Sequence, residues 1–161
     1  YDLLIDAINF LDDSLKEKIR LVIVGNGSQL NNLRKKVNEY GLVDEIKFKE
    51  WMAIDNFKNL IASSDFFIHP ARFDAYGSTT LAMSLGTTVI GSSGSGSAMD
   101  RIMHGSNGFI YQSEDVKKLA EYIKQLSTNK LLTKNFSENA YQTALSWKPE
   151  KAVDIIFSNV V

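Results

Sequence analysis

The sequence predicts an α/β domain built on a parallel sheet with helices on its faces, and three observations lead there. Short apolar runs suited to buried strands recur along the chain, and stretches with apolar residues at three- and four-residue spacing lie between them. Strand-like runs also lead directly into glycine- and serine-bearing turns, as βα connections do. At 161 residues, with 44% hydrophobic and 23% charged side chains, the chain holds enough apolar material for one core, and residues 1–161 are read as a single domain.

Strands are expected at Leu21–Val24, Ile46–Phe48, Phe66–His69, Thr88–Gly91 and Phe109–Tyr111. Helical periodicity places Leu4, Ile8, Leu11 and Leu15 on one face, then Leu30, Leu33 and Val37, then Val116, Leu119, Ile123 and Leu126. Ser113, followed by Glu114 and Asp115, suits the start of the last of these, because a hydroxyl and early acids match free N–H groups. From Asn135 onward the pattern is helical, with a break at Trp147-Lys148-Pro149, since proline lacks a donor and restricts the residue before it. Residues 147–161 are therefore set apart as a C-terminal helical tail, with Ile155, Ile156 and Val160 as an apolar group seeking a partner. The run Gly91–Ser97 reads as a flexible βα loop that could close over a ligand, with disorder as the alternative.

Composition excludes several classes of function. A formal net charge of −1, with lysines interleaved among acids, gives no electrostatic footprint for nucleic acid. Cysteine is absent, which removes disulfides and thiolate chemistry. No apolar run approaches the roughly 20 residues of a membrane-spanning helix. The chain opens with Tyr1 rather than Met, and a piece of a longer protein is expected. Its two histidines, His69 and His104, lie far apart without Glu or Cys at ligand spacing, so no metal is expected, and His69 reads as a satisfied core histidine.

Candidate chemistry concentrates in the segment from Asp65 to Ser93, where two apolar strands flank a turn carrying Asp74, Gly77 and three hydroxyls. A helix starting behind Gly77 would offer free N–H groups to a phosphate, while Asp74 could bind sugar hydroxyls. The plainer alternative has Asp74 solvating a turn and Ser78 or Thr79 capping the helix. Arg72 suits phosphate through its planar fork and suits a surface ion pair equally well. Gly25-Asn26-Gly27 follows a strand and precedes a helix, and reads either as a plain tight turn or as a close approach to a ligand. Trp51 and Met52 follow the second strand, where an aromatic could flank a base or simply pack.

In order and spacing these segments resemble the C-terminal, donor-binding domain of GT-B retaining glycosyltransferases of the family-4 type, over nearly the whole chain. LVIVGNGSQL resembles that domain's second strand with its Gly-x-Gly turn, and IKFKEW its third strand. HPARFDAYG resembles Pro-Ser-x-x-Glu-x-Phe-Gly, AMSLGTTVIGS resembles Ala-Met-Ala-x-Gly-x-Pro-Val-Ile-x-Ser, SGSAMD resembles the Gly-Gly-x-x-Glu loop, and GSNGFIY resembles Gly-x-Asn-Gly-x-Leu-x. The resemblance implies a Rossmann-like, doubly wound parallel sheet that forms one half of a GT-B fold. It implies that Asp74, as first acid of a paired-glutamate motif, contacts the donor sugar in the catalytic site, and that the backbone of Gly77, Ser78 and Thr79 holds the diphosphate. Gly25 and Gly27 match the turn beside the nucleotide, Trp51 and Met52 fall where the base packs, and Asp100 matches the glutamate of the glycine-rich loop. Asp74 and Asp100 are each one methylene shorter than the family's glutamate. Between Gly77 and Gly86 the chain is one residue short, and the second glutamate, a ribose ligand in the family, falls on Leu81.

The family's first strand, with its Gly-Arg and the Lys-Gly after it, and the acceptor-binding N-terminal domain have no counterpart in the chain. Either Leu21–Val24 and Phe66–His69 pair directly, or a sheet edge stays open. The implied function is donor binding in transfer of a hexose from a nucleoside diphosphate sugar to a glycan or lipid-linked acceptor, with no metal or other cofactor. The fragment alone is expected to be inactive, and the full-length protein cytoplasmic, with peripheral membrane association. A degenerate pseudo-glycosyltransferase acting as a partner-binding subunit is the second reading, and a sugar-nucleotide epimerase of related fold the third.

Overall fold

The computed structural model describes residues 1–73 and 77–147, so Asp74 and all of the expected tail except Trp147 lie outside the described residues. Strands β1 (Leu21–Val24), β2 (Ile46–Lys49), β3 (Phe66–His69), β4 (Thr88–Ser92) and β5 (Gly108–Tyr111) fall within one residue of the expected bounds. Around them lie α1 (Asp2–Asn9), α2 (Asp13–Lys16), α3 (Leu30–Glu39), α4 (Ile54–Ala62), α5 (Ser78–Ser84), α6 (Gly96–Arg101), α7 (Val116–Thr128) and α8 (Lys130–Ser146). All the strand pairs are parallel, and the architecture is Rossmann-like.

Period-two alternation explains how the strands serve two helix layers. In β4, Ile90 enters an apolar cluster with Ile5 and Ile8 of α1 and Leu119 and Ile123 of α7, while its neighbour Val89 enters a second cluster with Ile61 of α4, Met83 of α5 and Ala140 of α8. Phe109 and Ile110 of β5 divide between the same two clusters. Fully buried side chains such as Ile5, Ile8, Leu119 and Ile123 each contribute about 1.5–3 kcal/mol against the exposed state.

The sheet is interrupted. β1 pairs with β2, and β3 with β4 and then β5, but β1 and β3 share no ladder. Of the two outcomes the sequence leaves open, the open edge is the one found among the described residues. Both ladders contribute to the first apolar cluster, through Ile23 and Ile46 on one side and Ile90 and Phe109 on the other. Packing, rather than a continuous ladder, therefore joins the two pieces.

The structure departs from the sequence reading at four places. The helical face expected for Leu4, Ile8, Leu11 and Leu15 is divided between α1, which ends at Asn9, and α2, which starts at Asp13, with Leu11 buried between them. α7 is capped by Asp115, whose carboxylate accepts the Lys118 N–H at 2.9 Å, and not by Ser113; Glu114 has a φ of 74°, which delays the helix by two residues. α8 starts at Lys130, because Asn129 accepts the Leu132 N–H at 3.0 Å and provides a cap upstream of the expected start. The run from Gly91 to Ser97 is a packed turn instead of a flexible loop, with Ser92, Ser95 and Ser97 at 0–1% exposure and α6 already begun at Gly96. A Cβ on Gly91 would sit 2.4 Å from the Ala98 Cβ, so the missing side chain is what lets α6 lie on β4. Among the described residues, no helix is long and apolar enough to cross a membrane.

Candidate functional site

Parallel strands bring the loops at their C-terminal ends to one edge, and each ladder carries part of the candidate site there. On the first, the Gly25 N–H extends the β1–β2 ladder by donating to the Lys49 carbonyl at 2.9 Å. Gly25 has a φ of 138°, which side chains rarely adopt, and a Cβ at Gly25 or Gly27 would meet nothing within 4 Å. Trp51 and Met52 leave the neighbouring strand beside this turn, Trp51 with 77% of its surface exposed and Met52 half-buried. Gly25, Gly27, Trp51 and Met52 therefore share one end of the β1–β2 ladder.

On the second ladder, α5 begins behind Gly77, whose φ of 143° turns the chain and whose missing side chain leaves open space. Among the described residues no side chain accepts from the first turn of α5, so the capping role considered for Ser78 or Thr79 is not found. Thr79 is turned fully inward, with its hydroxyl 2.8 Å from His69 Nδ1. Leu81 is half-buried against the second apolar cluster. Asp100 is exposed on α6.

Arg72 serves as an ion-pair clamp. Its two terminal nitrogens donate to both carboxylate oxygens of Asp2 at 3.0 and 2.8 Å, and Nε donates to Glu114 at 2.9 Å. This fork ties the start of α1 and the turn before α7 to the loop after β3. The Arg72 guanidinium holds the Asp2 carboxyl down at about 2, and the two carboxylates push the guanidinium upward. Of the two roles open to Arg72 in the sequence, the ion pair is the one formed; a phosphate would have to displace a bidentate carboxylate. Neither partner could have been found from spacing, because Asp2 lies 70 residues away.

The loops after β3, β4 and β5 are tightly joined. Ser92 Oγ donates to the Ala71 carbonyl, and a Cβ on Gly94 would lie 2.3 Å from the Arg72 carbonyl oxygen and 2.6 Å from that of Ala71. The Ser93 N–H reaches the Tyr111 carbonyl at 2.8 Å, and the Ser113 N–H reaches Ser93 Oγ at 2.9 Å. Burial pushes the neighbouring Tyr111 hydroxyl up to about 12, so it remains a neutral group across the ordinary pH range. Beside them, Tyr1, His69, Pro70, Ala71, Arg72 and Phe73 line an open cleft of about 420 Å³. His69 is buried as the sequence reading has it, but its hydroxyl partners Thr79 and Ser95 were not legible there.

Comparison with known proteins gives the arrangement a family. A glycosyltransferase of Methanocaldococcus jannaschii, itself uncharacterised, is 29% identical over 98% of this chain and 41% of its own length. A GDP-mannose-dependent alpha-(1-6)-phosphatidylinositol monomannoside mannosyltransferase of Mycobacterium tuberculosis is 27% identical over 66% of this chain and 29% of its own. Among solved structures, WaaG, a glycosyltransferase involved in lipopolysaccharide biosynthesis, superposes with a TM-score of 0.83 at 25% identity, over 96% of this chain and 42% of that one. Anabaena HepE in complex with UDP-glucose gives 0.81 at 24% identity, over 97% and 44%. The chain spans less than half the length of these relatives, and its fold matches the C-terminal half of GT-B glycosyltransferases. The family model for glycosyl transferases group 1 matches residues 1–143, and the chain belongs to that family.

Proposed function

We propose that this chain is the donor-binding half of a retaining hexosyltransferase that uses a nucleoside diphosphate sugar. The observation that carries the reading is the start of α5, where N–H groups without a side-chain acceptor among the described residues lie behind Gly77 at the C-terminal end of β3. Those N–H groups stabilise the negative charge that grows on the departing diphosphate, so positioning and electrostatics, rather than a protein nucleophile, lower the barrier. Gly25 and Gly27 leave room for the nucleotide beside the exposed ring of Trp51, while Asp74 meets the donor sugar and Asp100 its far side. No metal or other cofactor has a part in this scheme. A glycan or lipid-linked acceptor is held by a separate N-terminal domain of a longer protein, which is cytoplasmic and associates peripherally with a membrane.

Relatives differ in their nucleotide: the mycobacterial enzyme is named for GDP-mannose, and HepE was solved with UDP-glucose. Ligand-observed NMR of the chain against UDP, GDP, ADP and their sugars is the direct test. Saturation transfer to one nucleotide and its sugar is expected, and silence toward all six from a folded chain would overturn the reading. The half-buried, apolar Leu81 favours a second reading, a degenerate domain that kept the fold as a partner-binding subunit, and silence in this screen is the result it expects.

A further inference from the structure

The second ladder ends in a group of buried polar side chains that the donor-site reading does not use. His69, the last residue of β3, places Nδ1 2.8 Å from Thr79 Oγ1 in the first turn of α5 and 3.1 Å from Ser95 Oγ at the cap of α6. Ser95 Oγ also accepts the Ala98 N–H at 3.3 Å and lies 3.1 Å from Ser97 Oγ. Thr79, Ser95 and Ser97 are fully buried, and His69 is 8% exposed. Just below them the second cluster is apolar, with Ala82, Met83, Val89 and Ala98.

Its geometry makes this group more than filler. Both hydroxyls converge on Nδ1, so the ring is seated between the starts of α5 and α6 and its place depends on each of them. Ser95 has an alternative acceptor in Ser97, whereas Thr79 has His69 as its partner within the group. A shift of Thr79 therefore changes what His69 offers Ser95, and with it the first turn of α6. In a buried site a polar group left unsatisfied is costly, which makes such a change propagate rather than dissipate.

We propose that His69 is a positioning residue that couples the start of α5 to the start of α6, so that ordering one orders the other. The functional side of this rests on the donor-site reading above, in which α5 holds the diphosphate and α6 carries Asp100. The hydrogen-bonding position is the δ nitrogen, which the side-chain amide of asparagine can reproduce and that of glutamine, one methylene longer, cannot.

Two experiments test it. In amide exchange, Thr79→Val is expected to speed the amides of Ala98 and Met99, which Ser95 holds, at least tenfold while those of Leu119 and Ile123 in α7 keep their rates. Unchanged rates at Ala98 and Met99, or an equal acceleration everywhere, would overturn the coupling whether or not the chain binds nucleotide. In calorimetric titration with the nucleotide selected by NMR, His69→Asn is expected to stay within threefold of the parent and His69→Gln to lose at least tenfold at equal melting temperature. Equal losses in the two variants, or none, count against the positioning role. A parent that binds no nucleotide refutes the donor-site reading and the functional half of this one, and leaves the exchange result to decide the coupling.

Discussion

Replacing Leu81 by glutamate puts the donor site and the core in direct competition. The resemblance implies an acid at this place in the sequence, yet here residue 81 packs half-buried against the cluster that holds Ile61 and Met83. Removing half of a buried leucine costs about 1 kcal/mol, and partial desolvation of the new carboxylate adds a similar amount. The positive end of α5 returns roughly 0.3–1 kcal/mol, because residue 81 lies in the first turn and its N–H bonds the Gly77 carbonyl. The net expectation is a loss of about 1–1.5 kcal/mol, or roughly 3–5 °C in melting temperature for a chain of this size. Helical side chains lean toward the N-terminus, so the carboxylate can reach the loop side and accept from ribose hydroxyls. Such a charged hydrogen bond tightens ribonucleotide binding by about 1–2 kcal/mol, near tenfold. Calorimetry with UDP, GDP and ADP, with a melting curve on the same protein, reads both effects. A folded variant with unchanged affinity would refute the placement of residue 81 at the ribose, and a loss above about 3 kcal/mol would show that Leu81 is a core residue rather than a boundary one.

Gly94→Ala forces a Cβ against the Ala71 and Arg72 carbonyls and should cost about 2–3 kcal/mol in a urea titration, whereas Gly27→Ala, facing open space, should stay within about 0.5 kcal/mol; equal midpoints would remove the close approach of the two loops. Asp2 has its folded pKa depressed to about 2, so the clamp contributes stability above pH 4 that is lost as pH falls from about 4 through 2. With Asp2 partly exposed, that contribution is about 1 kcal/mol after solvent screening, and the gap between parent and Arg72→Gln in urea midpoints should narrow over the same window; a constant gap contradicts the clamp. Leu21 and Gly25 donate toward β2, so the intervening Val22 and Val24 amides point to the edge without a strand, and they should exchange much faster than those of Val89 and Ile90 in β4. Equal protection would mean that this edge is covered.

The strands were legible because runs such as Leu21–Val24 and Thr88–Gly91 are short, apolar and bounded by turn residues, and burial on two faces leaves such runs few alternatives. The helix around Leu119 and Ile123 was legible from the three- and four-residue spacing of its apolar side chains, although its start was not. Nothing local distinguishes Ser113 from Asp115 as a cap; Glu114 at positive φ settles it, and glutamate carries no sequence signal for that conformation. The Ser/Gly run was misread because small polar residues serve a mobile loop and a tightly packed turn equally well. Gly91 and Gly94 are there for contact with Ala98 and with the carbonyls of Ala71 and Arg72, which depends on residues up to some twenty positions away. At the candidate site, the glycines and the exposed Trp51 could be found by position along the strands, but the partners of Arg72 and His69 could not, since tertiary pairing alone selects Asp2, Glu114 and Ser95.

The division of the sheet bears on how a donor would be gripped. Residues proposed for the diphosphate and sugar side, from Gly77 to Asp100, belong to the β3–β4–β5 ladder, whose loops are locked by the Arg72 fork, the Ser92–Ala71 hydrogen bond and His69. Gly25, Gly27, Trp51 and Met52, proposed for the nucleotide side, belong to the β1–β2 ladder. Hydrogen-bonded ladders fix register because each bond is directional, whereas the two pieces are joined by a shared, non-directional apolar cluster and by only the Lys36 and Tyr40 bonds to Asp6 of α1 among the described directional contacts between α3 and α1. A small relative shift therefore costs less between the ladders than within either one. A nucleoside diphosphate contacting both must hold that shift fixed, and the ordering reduces its affinity for this chain relative to an arrangement with one continuous ladder. Affinity should then depend on what stiffens the junction of the two ladders as much as on the residues that touch the ligand.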